Sequence, residues 1–200
     1  MFEEDENTPT CTLENSDNPF ELAQHLIALA NTKGGILIIG VKKNNKVIGI
    51  TPESEKHKIA KIIQKYITPS ISCFFYEIQE GFKIILHIKV LKSVNGTIYF
   101  INESKKEIYL RLNEQTIKAN NILDKFYKYR DLNEKISVIL SNEESAILNL
   151  ISISNQISLT QIFKKVKINR DTLEYNLVRL LYRDLIKISL VDNSFTISLV

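Results

Sequence analysis

The stretch NTKGGILIIGVKKNNKVIGI, residues 31–50, places two adjacent glycines before an apolar run and a basic turn behind it. Residues 36–41 are apolar at odd and even positions alike, which predicts a β-strand buried on both faces. Gly34 and Gly35 precede this strand and predict a tight turn, because glycine adopts backbone angles that other residues avoid. The stretch therefore predicts a helix that ends at the glycines and turns into a central strand.

The turn behind the strand is the first candidate binding site. Lys42, Lys43 and Lys46 lie in a predicted exposed turn, and such a turn can reach a phosphate backbone without any specific geometry. Residues 47–50 are predicted to pair back as the second strand of a hairpin.

The glycines do not form a phosphate-binding loop, because no lysine followed by serine or threonine accompanies them. We therefore predict no ATP site and no other cofactor. Structural roles are assigned to Asn31, Gly34, Gly35, Gly40 and Gly49.

Two helices flank this hairpin in the prediction. Apolar residues at helical spacing predict one over 20–31, with Asp17 or Asn18 and the following Pro19 as its start. A second apolar stripe predicts another from about residue 53 to 67.

After Pro69 the apolar period changes to two, which predicts strands over 71–79, 83–91, 97–101 and 107–112, then a helix from about 120 to 135. The alternation predicts that one set of basic and aromatic side chains points outward: His87, Lys89, Tyr99, Tyr109 and Arg111. Two interpretations remain open. The set forms a surface that holds phosphates and stacks on bases, or it is a solvated face on which Arg111 pairs with Glu107 or Glu114.

Residues 142–200 show a separate pattern, in which three amphipathic helices precede a hairpin with Asp192-Asn193 as its turn. This order predicts a small winged-helix domain of the helix-turn-helix class, whose third helix enters a DNA groove. Its candidate contacts are Lys164, Lys165, Lys167 and Arg170. A second stripe on the third helix, Tyr175, Val178 and Tyr182, predicts a homodimer contact.

The composition is 44% hydrophobic and 24% charged, which excludes a wholly disordered chain. The apolar runs are too short to cross a bilayer, and the N-terminus MFEEDENTPT lacks signal-peptide features. We therefore expect a cytoplasmic protein with no membrane partner. Cys11 and Cys73 are far apart and the histidines lack metal-ligand spacing, so we expect reduced thiols and no metal site.

The net charge of +3 is unevenly distributed. Residues 1–21 carry seven acidic and no basic side chains, whereas residues 22–139 carry 19 basic and 10 acidic ones, a net of +9. A basic block suits DNA or RNA as a partner, and it also fits a lysine-rich solvated surface.

The predicted organisation is an acidic disordered lead (1–12), an α+β domain (13–130), a linker (131–141) and the winged-helix domain (142–200).

The strings ALANTKGGILIIGV (28–41), KVIGI (46–50), YITP (66–69) and IYLRLNEQTIKA (108–119) follow one another in the order seen in the Schlafen-type AlbA domain. Residues 12–125 resemble that domain, and the whole chain resembles bacterial proteins in which a helix-turn-helix region follows it. The resemblance implies an α+β fold with a mixed or antiparallel sheet and flanking helices. It also implies a nucleic-acid-associated function, with some relatives acting as RNA nucleases.

The nuclease relatives use three carboxylates that hold a divalent metal ion. Here Glu14 matches one of them, Pro9 falls where the upstream acid is expected, and the turn after the strand reads Lys42 to Asn45 in place of the third. The sequence therefore predicts a DNA-binding transcriptional regulator without catalytic activity. Two alternatives remain, a metal-dependent ribonuclease and a protein–protein interaction module.

Overall fold

The computed structural model describes residues 8–103, 105–132 and 139–200. The chain divides into two compact units, Met1–Ala119 and Asn120–Val200. None of the helices in the described ranges has the length and apolar character needed to span a membrane.

Unit 1 is a mixed α+β domain, as the sequence predicted. Its elements are β1 (Thr10–Leu13), α1 (Pro19–Asn31), β2 (Gly35–Ile39), α2 (Pro52–Tyr66), β3 (Ile67–Thr68), β4 (Cys73–Glu80), β5 (Lys83–Val90), β6 (Tyr99–Asn102), β7 (Lys105–Glu107), β8 (Tyr109–Leu112) and β9 (Gln115–Lys118). The main sheet has the strand order β1-β2-β5-β4, in which β1 and β2 run parallel and the other neighbours antiparallel. Two smaller sheets, β3-β6-β7 and β8-β9, complete the unit.

The core of unit 1 surrounds α1. Asn18 caps this helix by accepting a hydrogen bond from the Glu21 amide, and Pro19 occupies the first turn, where its missing N–H costs nothing. Almost every later residue of α1 is buried, because the helix packs against the main sheet, α2 and β8. A helix buried on nearly all sides needs apolar residues around its whole circumference, which explains the run LIALA.

The glycine pair is required by close packing at the start of β2. A Cβ on Gly34 would lie 2.7 Å from the Val90 carbonyl oxygen, and one on Gly35 would lie 2.2 Å from the Pro9 carbonyl oxygen. Both residues have positive φ, +77° and +150°. The glycines therefore allow the backbone before β1 and at the end of β5 to pack closely against the start of β2.

One prediction for unit 1 was wrong, and another holds only in part. Residues 10–12, placed in a disordered lead, belong to β1 and pair with β2, because parallel pairing satisfies an edge that β2 would otherwise expose; residues 1–7 of that lead lie outside the described residues. The predicted hairpin over 47–50 forms in part: Val41 bridges Val47, and the Ile48 and Gly49 amides donate to the Gly40 carbonyl. The Ile50 amide instead donates to the Ile84 carbonyl.

Unit 2 contains helices and a three-stranded sheet. Its elements are α3 (Asn121–Asp131), α4 (Asn142–Ser154), β10 (Gln156–Ser158), α5 (Leu159–Lys165), α6 (Arg170–Tyr182), β11 (Ile186–Val191) and β12 (Ser194–Leu199). Ser158 and Asn169 cap α5 and α6 as predicted. Asp192 and Asn193 both have positive φ and connect β11 to β12, as a two-residue hairpin turn requires.

Helix α3 belongs to unit 2, although the sequence analysis placed residues up to 130 in the first domain. It packs on α6, where Val178 is buried and the Tyr129 and Tyr182 rings meet edge to face with centroids 5.6 Å apart. The stripe assigned to a homodimer contact is therefore covered by α3 of the same chain, and only Tyr175 remains exposed. The predicted linker 131–141 falls mostly outside the described residues.

Candidate nucleic-acid interface

Arg111 occupies a fixed position in a cleft of unit 1. Its Nη2 donates to the Thr10 carbonyl oxygen at 2.8 Å and its Nη1 to the Thr116 hydroxyl at 3.3 Å. Both acceptors are neutral, and the Nε atom is buried without a hydrogen-bond partner in the described part of the chain. Neither predicted ion pair of Arg111 forms: Glu107 binds Lys118 at 2.5 Å, and no Glu114 bridge is found among the described residues. The guanidinium is held in place, and no carboxylate of residues 8–103, 105–132 or 139–200 contacts it.

His25 of α1 lies beside Arg111. Its Nδ1 is 2.8 Å from the Thr116 hydroxyl, the same oxygen that Arg111 contacts. Burial lowers the pKa of His25, and the positive charges of Arg111 and Lys43 lower it further, against the Glu21 carboxylate, which raises it. The imidazole is therefore mainly neutral at pH 7.

These side chains line an open cleft of about 540 Å³, which we call the Arg111 cleft. It is bounded by β1, α1, the basic turn and the β8–β9 hairpin, and its lining includes Thr12, Gln24 and Gln115. Two cations, Lys43 and Arg111, are balanced formally by Glu21 and Glu114 at the rim. The cleft is therefore not a strongly positive funnel, and any selectivity for phosphate depends on the fixed Arg111 fork.

The three lysines of the basic turn differ in their surroundings. Lys42 forms an ion pair with Glu14, with Nζ 3.6 Å from the carboxylate. Lys43 and Lys46 are exposed, and Asn45 takes a positive φ of 62° to close the turn. Only Lys43 lines the Arg111 cleft.

The outer face of the main sheet carries a second group of candidate residues, Phe74, Tyr76, His87 and Lys89, which we call the aromatic-basic face. Phe74 lies opposite Lys89, and Tyr76 lies opposite His87, in the β4–β5 ladder. Phe74 is 50% exposed and Lys89 is exposed. Directly paired residues on a sheet lie side by side, so flat rings and a cation share this face.

The predicted single outer surface was wrong, because its strands belong to three different sheets. Lys89 lies in the main sheet, Tyr99 in β3-β6-β7 and Arg111 in β8-β9. Tyr109 is buried: Phe100 packs edge to face against its ring, and the hydroxyl donates to Glu107 at 3.0 Å. Lys106 lies over the Tyr99 ring at 5.7 Å.

The carboxylates that follow β1, and Glu55 beside them, are engaged by other groups. Asp17 binds Lys58 at 2.9 Å, and the buried Glu55 accepts hydrogen bonds from Ser16 and Lys58. Glu14 pairs with Lys42 as described. Within residues 8–103, 105–132 and 139–200 no three acidic, histidine or cysteine side chains are grouped closely enough to hold a metal ion.

The candidate residues of unit 2 cluster around the start of α6. Lys164 and Lys165 end α5, Lys167 lies in the connection, and all three are exposed. Arg170 is also exposed, but its Nε donates to Glu174 at 2.9 Å and its guanidinium lies 4.9 Å from the Phe163 ring centroid. Glu174, which accepts this hydrogen bond, is buried.

Sequence reasoning missed His25, Phe74 and Tyr76. His25 and Thr116 are 91 positions apart in the sequence, so the helical periodicity of α1 gives no indication that they are in contact. Phe74 and Tyr76 alternate with partly buried residues along β4, and that alternation was a signal that the sequence offered.

Several solved structures resemble the chain, among them the following two. The solution structure of the N-terminal domain of a RecG-related protein from Nitrosomonas europaea is 20% identical, covers 51% of this chain and 76% of its own, and has a TM-score of 0.40. The crystal structure of the DIP2311 protein from Corynebacterium diphtheriae is 15% identical, with a TM-score of 0.43. That match covers 84% of this chain, which spans 30% of the DIP2311 chain.

No curated protein matches the sequence. A family model described as Schlafen, AlbA_2 matches residues 6–120, which is more than half of the chain. The match contains the glycine pair, the basic turn and every residue that lines the Arg111 cleft. On this evidence the chain belongs to the Schlafen AlbA_2 family.

Proposed function

We propose that this protein binds nucleic acid through the Arg111 cleft and acts as a DNA-binding transcriptional regulator without catalytic activity of its own. The observation that carries the proposal is the position of Arg111, fixed by two neutral acceptors and without a contacting carboxylate among the residues that the structure describes. Membership of the Schlafen AlbA_2 family supports a nucleic-acid-related role for unit 1.

A phosphate group is the ligand that suits this arrangement. The planar guanidinium presents several N–H donors in a fixed geometry that matches phosphate oxygens, and it does not lose its charge near neutral pH. Lys43 lines the same cleft and adds a second positive charge from an exposed side chain. A nucleic-acid backbone that enters the cleft would contact both cations and keep away from Glu114 on the hairpin tip.

The aromatic-basic face supports contacts to bases as well as to phosphates. Exposed rings such as Phe74 stack on unpaired bases with little dependence on sequence. This face lies on the main sheet and the Arg111 cleft lies at its β1 edge, so a strand of nucleic acid has two separate places to bind on unit 1.

The element order of unit 2, from α4 through α5 and α6 to the β11–β12 hairpin, supports its assignment as a winged-helix domain. Lys164, Lys165 and Lys167 then lie beside the helix that enters a DNA groove. The engagement of Glu14 and Asp17 by lysines supports the absence of metal-dependent catalysis.

The test is binding of labelled duplex DNA and structured RNA across a salt series, with magnesium present and the nucleic acid checked for cleavage. Lys43→Ala removes an exposed charge from the cleft, and Lys61→Ala removes an exposed charge from α2 as the matched control. Loss of one phosphate contact reduces the slope of log K against log salt by about 0.9 for B-DNA. We expect that reduction for Lys43→Ala and no change for Lys61→Ala.

Equal slopes for the two variants would exclude the Arg111 cleft as the interface. Cleavage of RNA by the wild-type protein, lost in Glu14→Gln, would show that the protein is a metal-dependent ribonuclease and not a regulator without catalytic activity. Absence of binding to either nucleic acid at low salt would favour a protein-interaction module.

A further inference from the structure

Strand β4 forms one edge of the main sheet. The strand order β1-β2-β5-β4 gives it a single neighbouring strand, β5, within the ranges that the structure describes. The opposite edge strand, β1, is covered at Thr10, whose carbonyl accepts a hydrogen bond from Arg111. Open strand edges pair readily with other chains, and proteins therefore usually block them.

β4 lacks the features that usually protect such an edge. It is eight residues long, CFFYEIQE, and contains no lysine, arginine or proline. Its register with β5 is continuous from Cys73 opposite Val90 to Glu80 opposite Lys83, so no bulge bends the strand away. A long and regular edge strand of this kind is a template for pairing with a further strand.

Hydrogen bonds on the two sides of β5 indicate which backbone groups of β4 point outward. The Leu91 amide donates to the Ser72 carbonyl at 3.0 Å, so Ser72 and every second residue after it turn their N–H and C=O groups toward β5. On the far side of β5 the Ile84 carbonyl accepts a hydrogen bond from the Ile50 amide, which fits the same alternation. The residues of β4 whose backbone groups point to the open edge are therefore Cys73, Phe75, Glu77 and Gln79.

This edge is complementary to a second copy of itself. An antiparallel pair with its two-fold axis at Tyr76 places Cys73 opposite Gln79 of the second copy, and Phe75 opposite Glu77 of the second copy. All outward residues then belong to four pairs that exchange two hydrogen bonds each. An axis at Glu77 would place two carboxylates opposite each other, and an axis at Phe75 would leave Gln79 beyond the end of the partner strand.

The side chains on both faces of the sheet suit this register. On the outer face the exposed Tyr76 rings of the two copies lie opposite each other, and Phe74 lies opposite Ile78 of the second copy. Such cross-strand pairs of aromatic and β-branched residues stabilise a sheet. On the inner face the two Glu77 carboxylates lie diagonally, and each is already bound to Lys56 at 2.6 Å.

We propose that two copies of this chain associate through their β4 edges, with the two-fold axis at Tyr76, and join their four-stranded sheets into one continuous sheet. The dimer places two aromatic-basic faces side by side on one surface of that sheet. This contact is different from the one predicted on α6, which α3 covers. It follows from the geometry of the edge and does not depend on nucleic-acid binding.

Sedimentation equilibrium of the full chain without nucleic acid tests the association. One strand pair is a small interface, so we expect a monomer–dimer equilibrium with a dissociation constant on the order of 10 μM. Tyr76→Lys places two like charges opposite each other at the axis and should weaken the association by about tenfold. Phe82→Lys makes the same kind of change at a fully exposed ring outside β4 and should leave the association unchanged.

A disulfide cross-link tests the register. Directly opposite residues of a hydrogen-bonded antiparallel pair have Cα atoms about 5.5 Å apart, which a disulfide can span. Gln79→Cys places a thiol opposite Cys73 of the second copy, and a mild oxidant should then give a covalent dimer on a non-reducing gel. Gln79→Cys combined with Cys73→Ser should give little. Thermal unfolding checks that each variant folds.

A wild-type chain that stays monomeric up to about 200 μM would overturn the proposal and leave the edge to a strand of another protein. Equal association of Tyr76→Lys and Phe82→Lys would also overturn it, as would a dimer of Gln79→Cys without a cross-link that requires Cys73. The wild-type measurement decides the question even if a variant does not fold. Failure of the Arg111 cleft to bind nucleic acid would change none of these results.

Discussion

The side chain of Asn31 exchanges two hydrogen bonds with the backbone of Ile98, a residue 67 positions further along the chain. Asn31 Nδ2 donates to the Ile98 carbonyl at 2.8 Å, and the Ile98 amide donates to Asn31 Oδ1 at 2.8 Å. The same Nδ2 also donates to the Tyr109 carbonyl at 3.1 Å. The last residue of α1 therefore satisfies backbone groups of Ile98, which precedes β6, and of Tyr109, the first residue of β8.

Replacement of Asn31 by alanine should destabilise unit 1. The change leaves three buried backbone groups without a partner, and we expect the free energy of unfolding to fall by about 3 kcal/mol. Asn44→Ala removes one exposed hydrogen bond, from the Lys46 amide, and is the matched control, with an expected loss of at most about 1 kcal/mol. Urea denaturation measures both, and similar losses in the two variants would show that the Asn31 contacts contribute little.

Gly35→Ala should be more damaging than Gly81→Ala, although both positions have positive φ. At Gly81 the new methyl group meets no atom within 4 Å, so only backbone strain of about 1 kcal/mol is expected. At Gly35 it would meet the Pro9 carbonyl at 2.2 Å and push β1 away from β2, and we expect a loss of about 3 kcal/mol. The larger loss expected at Gly35 combines the clash with a φ of +150° that essentially only glycine adopts, and equal unfolding free energies for the two variants would contradict it.

Local signals were sufficient to predict most helices and strands. Caps such as Asn18, Ser158 and Asn169 act within one helical turn, so their effect is visible in a short window of sequence. The period of two over residues 83–90 likewise predicted β5, because one side of that strand faces the core.

The candidate site depended on contacts that no local pattern contains. Alternation placed Tyr109 and Arg111 on one outer face, but α1 packs on β8 and buries Tyr109. Arg111 takes its position from Thr10, 101 residues earlier, and His25 takes its position from Thr116. The pairing of a strand with a distant element decides which face is exposed, and the sequence of the strand alone does not.

Glu144 should control the acid stability of unit 2. Its fully buried carboxylate accepts hydrogen bonds from Arg179 Nε at 2.8 Å and Arg183 Nη1 at 3.0 Å. Burial alone would raise the pKa of Glu144, but the Ser141 amide and the two arginines outweigh it and lower the pKa. The stabilisation is therefore present above the unfolded pKa of about 4.3 and is lost as the pH falls through the lower folded value.

Replacement of Glu144 by glutamine should lower the free energy of unfolding at pH 7 by about 3 kcal/mol, because it leaves two partly buried arginines without their carboxylate. It should also flatten the dependence of stability on pH below about 4.3. Glu143→Gln alters the exposed neighbouring residue and serves as the control. Equal acid sensitivity in wild-type protein and Glu144→Gln, measured by urea denaturation at several pH values, would exclude this role.

His25 should make the stability of unit 1 depend on pH, in a higher pH range than the one in which Glu144 affects unit 2. Because its folded pKa is lowered below the unfolded value of about 6.5, the unfolded chain binds the proton more readily than the folded one. Stability is therefore fully present above about pH 6.5 and falls as the pH decreases from there toward the folded pKa, by at most about 1.4 kcal/mol per pH unit for one proton.

His25→Gln keeps a polar group near the Thr116 hydroxyl but cannot take up the proton, so its stability should vary less between pH 7 and about pH 5.5. His57→Gln, on the exposed face of α2, should retain the wild-type dependence. If His25→Gln follows the wild-type curve in urea denaturation across this range, a group other than the buried His25 causes the pH dependence of stability.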